Sequence, residues 1–538
     1  MRRASLLRPG ARALLAAGAA ACLAGAPPSL AFDSAPPTPR VAEQRTVAYF
    51  ERVKADPNRL VPFLRAMPKG GDLHNHASGA VYAESYLRWA VEDGLCVDPA
   101  ELALKPLPCD TAAGRPPLQD ALARDGDLHD RLVDAMSMRT KDKSPKSGHD
   151  LFFGTFDKFA AASKPRGGDI IAEATARAAG GGLQYVELML NPDGGQARGA
   201  GRRVGFGGDL AATRAALLAP APPGSGERSI PEIVAASRSW LDGAEARRRA
   251  VLRCEAALPD PGCDVTVRYV YQVLRAMPAE MVFAQMVFAF EWASADPRAV
   301  GVNLVQPEGN PAAVANFRLQ MRMLDYLHGV YANVRITLHA GEFVPGLVPP
   351  EVLRYHIRES VVSGHASRIG HGVAIMHEDD PFGLLRELAR RDVLVEVCLT
   401  SNDGILGLRG VNHPLRTLLA FGVPVALGTD DEGVSRSDIT GEFRRAVEDQ
   451  AISYRQLKQM ARASLTHAFV EGGSLWQAPR GNVPVPACAR DVAAGAVGTD
   501  SCLRFMQGST KARLQMQLEH RLREFEATIA AEAAAGRR

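Results

Sequence analysis

A parallel (β/α)8 barrel of the TIM type is the fold class this 538-residue sequence predicts, on three observations. Eight β-rich runs recur along the chain, and many are apolar throughout, as strands covered on both faces are. Helix-length segments lie between them, and from the fourth run to the eighth the spacing is roughly thirty residues. Four short polar clusters each close an apolar run, at the strand end where barrel enzymes carry their functional groups.

Taken in order, residues 1–31 read as an export signal. Arg2, Arg3, Arg8 and Arg12 lead, an Ala/Leu run follows over 13–26, and Ser29-Leu30-Ala31 offers a small-x-small cleavage site. The run is too short to span a bilayer comfortably, and no later stretch is apolar and long enough for a membrane helix. Arg2-Arg3 with Leu6-Leu7 faintly resembles a twin-arginine signal. Cys22 after Ala19-Ala20-Ala21 is a poor lipid-attachment match. The expected location is therefore periplasmic or secreted. The signal's four arginines exceed the formal charge of +3, so the remainder is nearly neutral and offers no basic nucleic-acid surface.

Residues 32–66 are expected to form a helical extension, and 67–475 the barrel domain, with strands near 71–76, 184–190, 265–271, 300–305, 334–339, 368–371, 393–397 and 423–428. Helices are expected between the later strands, over 311–329, 350–363 and 381–391. The first two gaps are long and read as insertions, about 92–150 and 194–262. Residues 476–538 make a Pro/Gly-rich connector, a cysteine couple and a charged helix from 510 to about 534.

Six cysteines form local couples: Cys96 with Cys109, Cys254 with Cys263, and Cys488 with Cys502. Near-neighbour disulfides in an oxidising compartment are the economical reading, with connectivity open. Cys398, closing the strand-like run 393–397, reads as a buried packing thiol. No cysteine has zinc-site spacing, so nitrogen and oxygen must hold any metal.

The polar clusters are Asp72-Leu73-His74-Asn75-His76, Leu338-His339-Ala340-Gly341-Glu342, Arg368-Ile369-Gly370-His371-Gly372 and Gly428-Thr429-Asp430-Asp431. His74 and His76 are two apart on a strand and point to one side. His339 and Asp430 complete a nitrogen-rich zinc site that leaves one position for water. Glu342 could sit beside the metal and hand a proton to a ring nitrogen, while His371 orients or deprotonates the water. Asp431 would face substrate. Blander readings stand beside these: His371 as a satisfied core histidine, and Asp430-Asp431 as a helix cap. His129, His149, His365, His377, His413 and His467 are given no role.

With these motifs, and with Met67-Pro68-Lys69-Gly70-Gly71 ahead of the first and Thr400-Ser401-Asn402 between the third and fourth, the chain resembles the adenosine deaminase family of metal-dependent amidohydrolases from about residue 60 to 475. The Pro-Lys-Gly lead-in, signal and cysteines look most like its secreted, growth-factor-related branch. The resemblance implies one Zn2+ per chain on His74, His76, His339 and Asp430. It implies that Glu342 protonates purine N1, that His371 assists a zinc-bound hydroxide attacking C6, and that Asp431 binds N7 or orients the water. Adenosine, and 2′-deoxyadenosine with it, would become inosine plus ammonia. Gly341, Ser78, Gln306, Phe152 and Phe156 fall around the substrate on this alignment, the two phenylalanines as a lid. Two positions depart from the family: Ser78 stands where an aspartate usually contacts ribose, and Asn303-Leu304-Val305-Gln306 replaces Asp-Leu-x-Gly. Both touch sugar and base recognition, so another 6-aminopurine compound stays open as substrate.

A two-metal barrel hydrolase is the rival enzyme, but residues 303–306 offer no bridging lysine or glutamate. A zinc deaminase of the cytidine type needs Pro-Cys-x-x-Cys, which is absent. An extracellular binding protein should have lost a ligand or Glu342, and all are present. The expected partner is a small purine nucleoside, with homo-oligomer formation left open.

Overall fold

Continuous apolar runs become strands buried along nearly their whole length, because the barrel interior lies on one side and helices on the other. The computed structural model describes residues 38–534 apart from 223, 478–480 and 496; the expected signal and Cys22 lie outside the described residues. The strands are β1 (Gly70–His76), β2 (Cys96–Asp98), β3 (Ala103–Lys105), β4 (Leu183–Leu190), β5 (Thr266–Leu274), β6 (Ala299–Val305), β7 (Arg335–Ala340), β8 (Arg368–His371), β9 (Leu394–Val397) and β10 (Val425–Leu427). All but β2 and β3 join one sheet in the order β1-β4-β5-β6-β7-β8-β9-β10, with every pair parallel. The ring closes beyond β10, where Asp430 N donates to His74 O at 2.8 Å and His76 N to Asp430 O at 3.1 Å. This is the (β/α)8 barrel.

The gap between β1 and β4 holds the β2–β3 hairpin, stapled by Cys96–Cys109, and several short helices, of which Gly148–Phe153 and Phe156–Ser163 overhang the site. The gap between β4 and β5 holds helices Gln196–Val204, Leu210–Leu218 and Ile230–Val251. The last packs against helices Gly167–Gly180 and Ala279–Ala295 as a connecting helix of the barrel does. Cys254–Cys263 and Cys488–Cys502 are the other disulfides, and Cys398 is free and buried. Bridges of this kind form in oxidising compartments. No helix among the described residues is long and apolar enough to cross a membrane.

The stretch expected as a helix over 350–363 is broken: a short turn, Val352–Arg354, precedes the helix His356–Val362. Helical extensions pack on the barrel at both ends of the chain. Helices Pro39–Val53 and Pro57–Ala66 lead it in, and Lys69 joins the second to the barrel. Its buried ammonium donates to the carbonyls of Leu64, Met67 and Gly181 at 2.5, 3.0 and 2.8 Å. The helix Thr510–Ala534 lays Leu514, Leu518 and Leu522 against Leu73, Tyr185, Leu394 and Ala426 of four barrel strands.

Candidate metal centre

Four polar clusters far apart in sequence meet at the carboxyl ends of β1, β7, β8 and β10. On β1 the two-residue alternation turns His74 and His76 to the same side. His339 Nε2 lies 3.1 Å from His74 Nε2 and 3.3 Å from His76 Nε2. Asp430 Oδ1 lies 3.3 Å from His76 Nε2 and 3.7 Å from His74 Nε2. All four residues are buried.

The other ring nitrogen of each histidine decides what these atoms offer. His74 Nδ1 donates to Glu396 Oε2 at 2.7 Å. Burial works to raise the Glu396 pKa, but Arg368 and the bonds from His74 and Thr337 bring it down to about 2, so it accepts only. Asn303 Oδ1 takes the backbone N–H of His339 and must be an oxygen; it therefore also accepts from His339 Nδ1 at 2.9 Å. Asn191 Nδ2 donates to the Gln272 carbonyl, its Oδ1 accepts from Gln272 Nε2, and Gln272 Oε1 is left to accept from His76 Nδ1 at 2.5 Å. Three imidazoles thus carry their protons on Nδ1, and three Nε2 lone pairs converge beside a carboxylate. Lone pairs at this separation repel unless a cation lies among them, and the Nδ1 partners are those metal-bound histidines use. The donor set fits a divalent ion of zinc's preference. Burial disfavours a charged His74, but Glu396 and Asp430 outweigh it and raise its pKa, while burial and the neighbouring imidazoles push His339 well below its usual value.

His371 is different, although its nitrogen lies with those of His74, His339 and the Asp430 oxygen inside one cluster. Leu415 N donates to His413 Nδ1, His413 Nε2 to Asn402 Oδ1, and Asn402 Nδ2 to His371 Nδ1 at 3.0 Å. The proton of His371 therefore sits on Nε2, which faces the site without a hydrogen-bond partner, 3.7 Å from Glu342 and 3.9 Å from Asp430. Burial, opposed by Asp430, lowers its pKa to about 3, so the ring is neutral. An N–H in place of a lone pair makes it a donor to a water or a substrate atom, not a metal ligand.

Two carboxyl groups stand at the rim as acids. Burial first, then Asp430 and Glu308, push Glu342 well above the carboxylate range; its backbone N–H donates to Glu308 Oε2 at 2.9 Å, which fixes the turn out of β7. Burial and Asp430 do the same to Asp431, whose Oδ1 has no partner. Asp430, also buried, is drawn down to about 2 by His74, His371 and His76. The helix-cap reading of this pair fails, since Asp431 precedes Glu432–Ser435 with no capping bond.

The cavity above these groups has a volume of about 480 Å³. Ser78, Gln306, Phe152 and Phe156 line it together with Glu342, His371 and the two aspartates, and Phe153 and Asn191 join them. Gly341 lies behind the lining; at φ +72° a Cβ there would meet the Ile357 side chain at 2.6 Å. Three non-glycine residues on the lining, Gln306, His371 and Asp430, have φ of +80°, +65° and +57°, and such strain gathers at working sites.

The sequence reading assigned no part to Glu396, Gln272, Glu308 or His413. Glu396 carried a signal: a carboxylate inside an otherwise apolar strand must be paired when buried. Gln272 and Glu308 are ordinary polar residues whose partners lie far away in sequence, and His413, though close in sequence to Asn402, carries no pattern that marks the contact.

Comparison with known proteins places a match to the adenosine deaminase family model at residues 245–474. Adenosine deaminase of Shewanella loihica is 36% identical over 140 residues, 26% of this chain and 39% of that protein; that of Klebsiella pneumoniae is 37% identical over 140 residues, with the same shares. The chain thus spans about two-fifths of the length of these curated relatives. Among solved structures, an Arabidopsis N6-mAMP deaminase has a TM-score of 0.48 at 18% identity, over 76% of this chain and 96% of its own. An adenine deaminase from Arthrobacter aurescens has 0.44 at 19% identity, over 75% and 94%. Likeness of this degree identifies no substrate.

Proposed function

We propose, from the match of residues 245–474 to the adenosine deaminase family model and from the geometry of the site, that the chain is an exported, zinc-dependent hydrolase that deaminates adenosine, and 2′-deoxyadenosine with it, to inosine and ammonia. The observation that carries this reading is the convergence of three imidazole lone pairs and the Asp430 carboxylate beside a protonated Glu342. His74, His76, His339 and Asp430 would hold the ion, one per chain. A zinc ion there supplies Lewis acidity and makes a hydrolytic nucleophile available near neutral pH.

The chain's own groups account for the remaining steps. Glu342, kept neutral by burial, donates its proton to purine N1 as the ring loses aromaticity at C6. His371 Nε2–H, unpartnered and aimed at the same space, orients the attacking water. Asp431, also an acid here, donates to the N7 lone pair and sets the plane of the base. Phe152 and Phe156 cover the apolar face and limit bulk water. Water adds at C6 and one of its protons restores Glu342; the second passes from the C6 hydroxyl to the amino group, which leaves as ammonia as the C6 carbonyl forms.

The test is the ultraviolet change of adenosine on conversion to inosine, followed with purified protein of measured metal content. Turnover is expected, with loss on chelation and recovery on adding zinc. Metal-replete protein that leaves adenosine, deoxyadenosine and other 6-aminopurines untouched would sink the proposal. The three disulfides support the exported location.

A further inference from the structure

A second cleft, of about 710 Å³, opens beside the substrate cavity. Ser78, Asn191, Gln272 and Leu274 line both, so the two spaces adjoin across a wall that is neutral throughout. Lys164, Arg198 and Arg228 also line the cleft. Nearby arginines are neutralised: Arg166 pairs with Asp93 at 2.5 Å, Arg203 with Glu227 at 3.1 Å and Arg247 with Asp169 at 2.7 Å. Among the described residues Lys164 and Arg198 form no ion pair with a carboxylate; Arg228 Nη1 donates to the Gln196 amide oxygen at 3.2 Å, and its charge also acts on Glu232. The carboxylate in the cleft, Asp193, is buried, and its oxygens accept from the Tyr271 hydroxyl at 3.1 Å and Ala197 N at 3.0 Å. Three cations thus share the cleft's lining with one carboxylate, and the net positive charge within a concave wall draws anions.

We propose that this cleft takes the phosphate of a 6-aminopurine nucleotide, so that the chain deaminates the nucleoside monophosphate in preference to the free nucleoside. The inference rests on the deaminase reading, which puts the base over Glu342 and Asp431 and leaves the sugar toward the shared wall. Arg198 and Lys164 are the phosphate-binding side chains, with Arg228 at the rim. Ser78 matters as much by what it lacks: a carboxylate in that wall would repel the phosphate.

The experiment compares kcat/KM for adenosine monophosphate and adenosine on the full chain loaded with zinc, and the affinities of inosine monophosphate and inosine by calorimetry on the same protein. The monophosphate is expected to lead by about tenfold or more at low salt, since charge-assisted bonds to phosphate are the strong ones, and the lead should shrink as salt screens it. Arg198→Gln and Lys164→Gln should each cut the monophosphate-to-nucleoside ratio several-fold in both measurements, and Ser78→Asp should cut it further. A ratio at or below one, or one that the double Arg198→Gln/Lys164→Gln variant leaves unmoved, overturns the cleft while the deaminase reading survives. Tight, Arg198-dependent binding of inosine monophosphate without deamination of either substrate supports the cleft and removes the deaminase reading.

Discussion

Single atoms decide the chemistry at this site. For His76, His339 and His371 the nitrogen that carries the proton follows from a backbone N–H or carbonyl at the end of a short hydrogen-bond chain, and for His74 from the Glu396 carboxylate; the outcome separates three ligands from one donor. Glu342→Gln removes the acidic proton and keeps the shape. Turnover should fall by about 10²–10⁴-fold while bound zinc, measured by elemental analysis, stays at one per chain; near-normal activity would refute the assigned role. Glu396→Gln leaves His74 an acceptor but strips the charge that holds its Nδ1 proton and balances Arg368, which donates to Glu396 at 2.6 Å. Zinc affinity should drop about 10–100-fold, the range for losing such an outer partner; competition with a chromophoric chelator reads it, and unchanged affinity would dismiss Glu396 as a tuner of the site.

At the scale of elements, short helices that follow barrel strands borrow carboxylates from elsewhere to cover their first N–H groups. Glu442, on the helix Ile439–Glu448, accepts from Thr400 N at the start of Leu399–Leu406, at 3.2 Å. Burial, against Thr400 and Arg445, raises its pKa from the ordinary 4.5 to about 7. A carboxyl raised on folding binds more protons in the native state, so the stability it contributes is complete below pH 4.5 and is lost as pH rises through 7. The shift corresponds to about 3 kcal/mol. Glu442→Gln keeps the acceptor and abolishes the titration, so its melting temperature relative to the parent should climb between pH 4.5 and 7 and level off above. A difference that stays flat across that window would show that the group does not titrate there.

On the scale of the molecule, the barrel depends on elements outside it. Leu518, of the last helix, is 1% exposed and packs with residues of four strands. Leu518→Ala should cost about 2–5 kcal/mol, seen as a lower denaturant midpoint; a change within error would mean the helix merely rests on the barrel. The disulfides close short loops, with separations of 13, 9 and 14 residues, and loop entropy gives each about 2–3 kcal/mol. Reduction should therefore lower the melting temperature without releasing zinc, because no cysteine is among the candidate ligands. Metal loss on reduction would mean that a thiol ligates.

The sequence by itself determined the barrel, its eight strands and the strand ends that carry chemistry. Two-sided burial writes itself as unbroken apolar runs, and the polar clusters interrupt those runs where the strands stop. It also marked the cysteine couples, because partners nine to fourteen residues apart need little folding to meet. Only the tertiary structure decided which protons the histidines carry, that Glu342 and Asp431 are acids, and that Lys164, Arg198 and Arg228 share one cleft with Ser78. A pKa and a tautomer depend on solvent exclusion and on partners hundreds of positions away, such as Glu396 for His74. No local pattern records those distances; packing alone sets them.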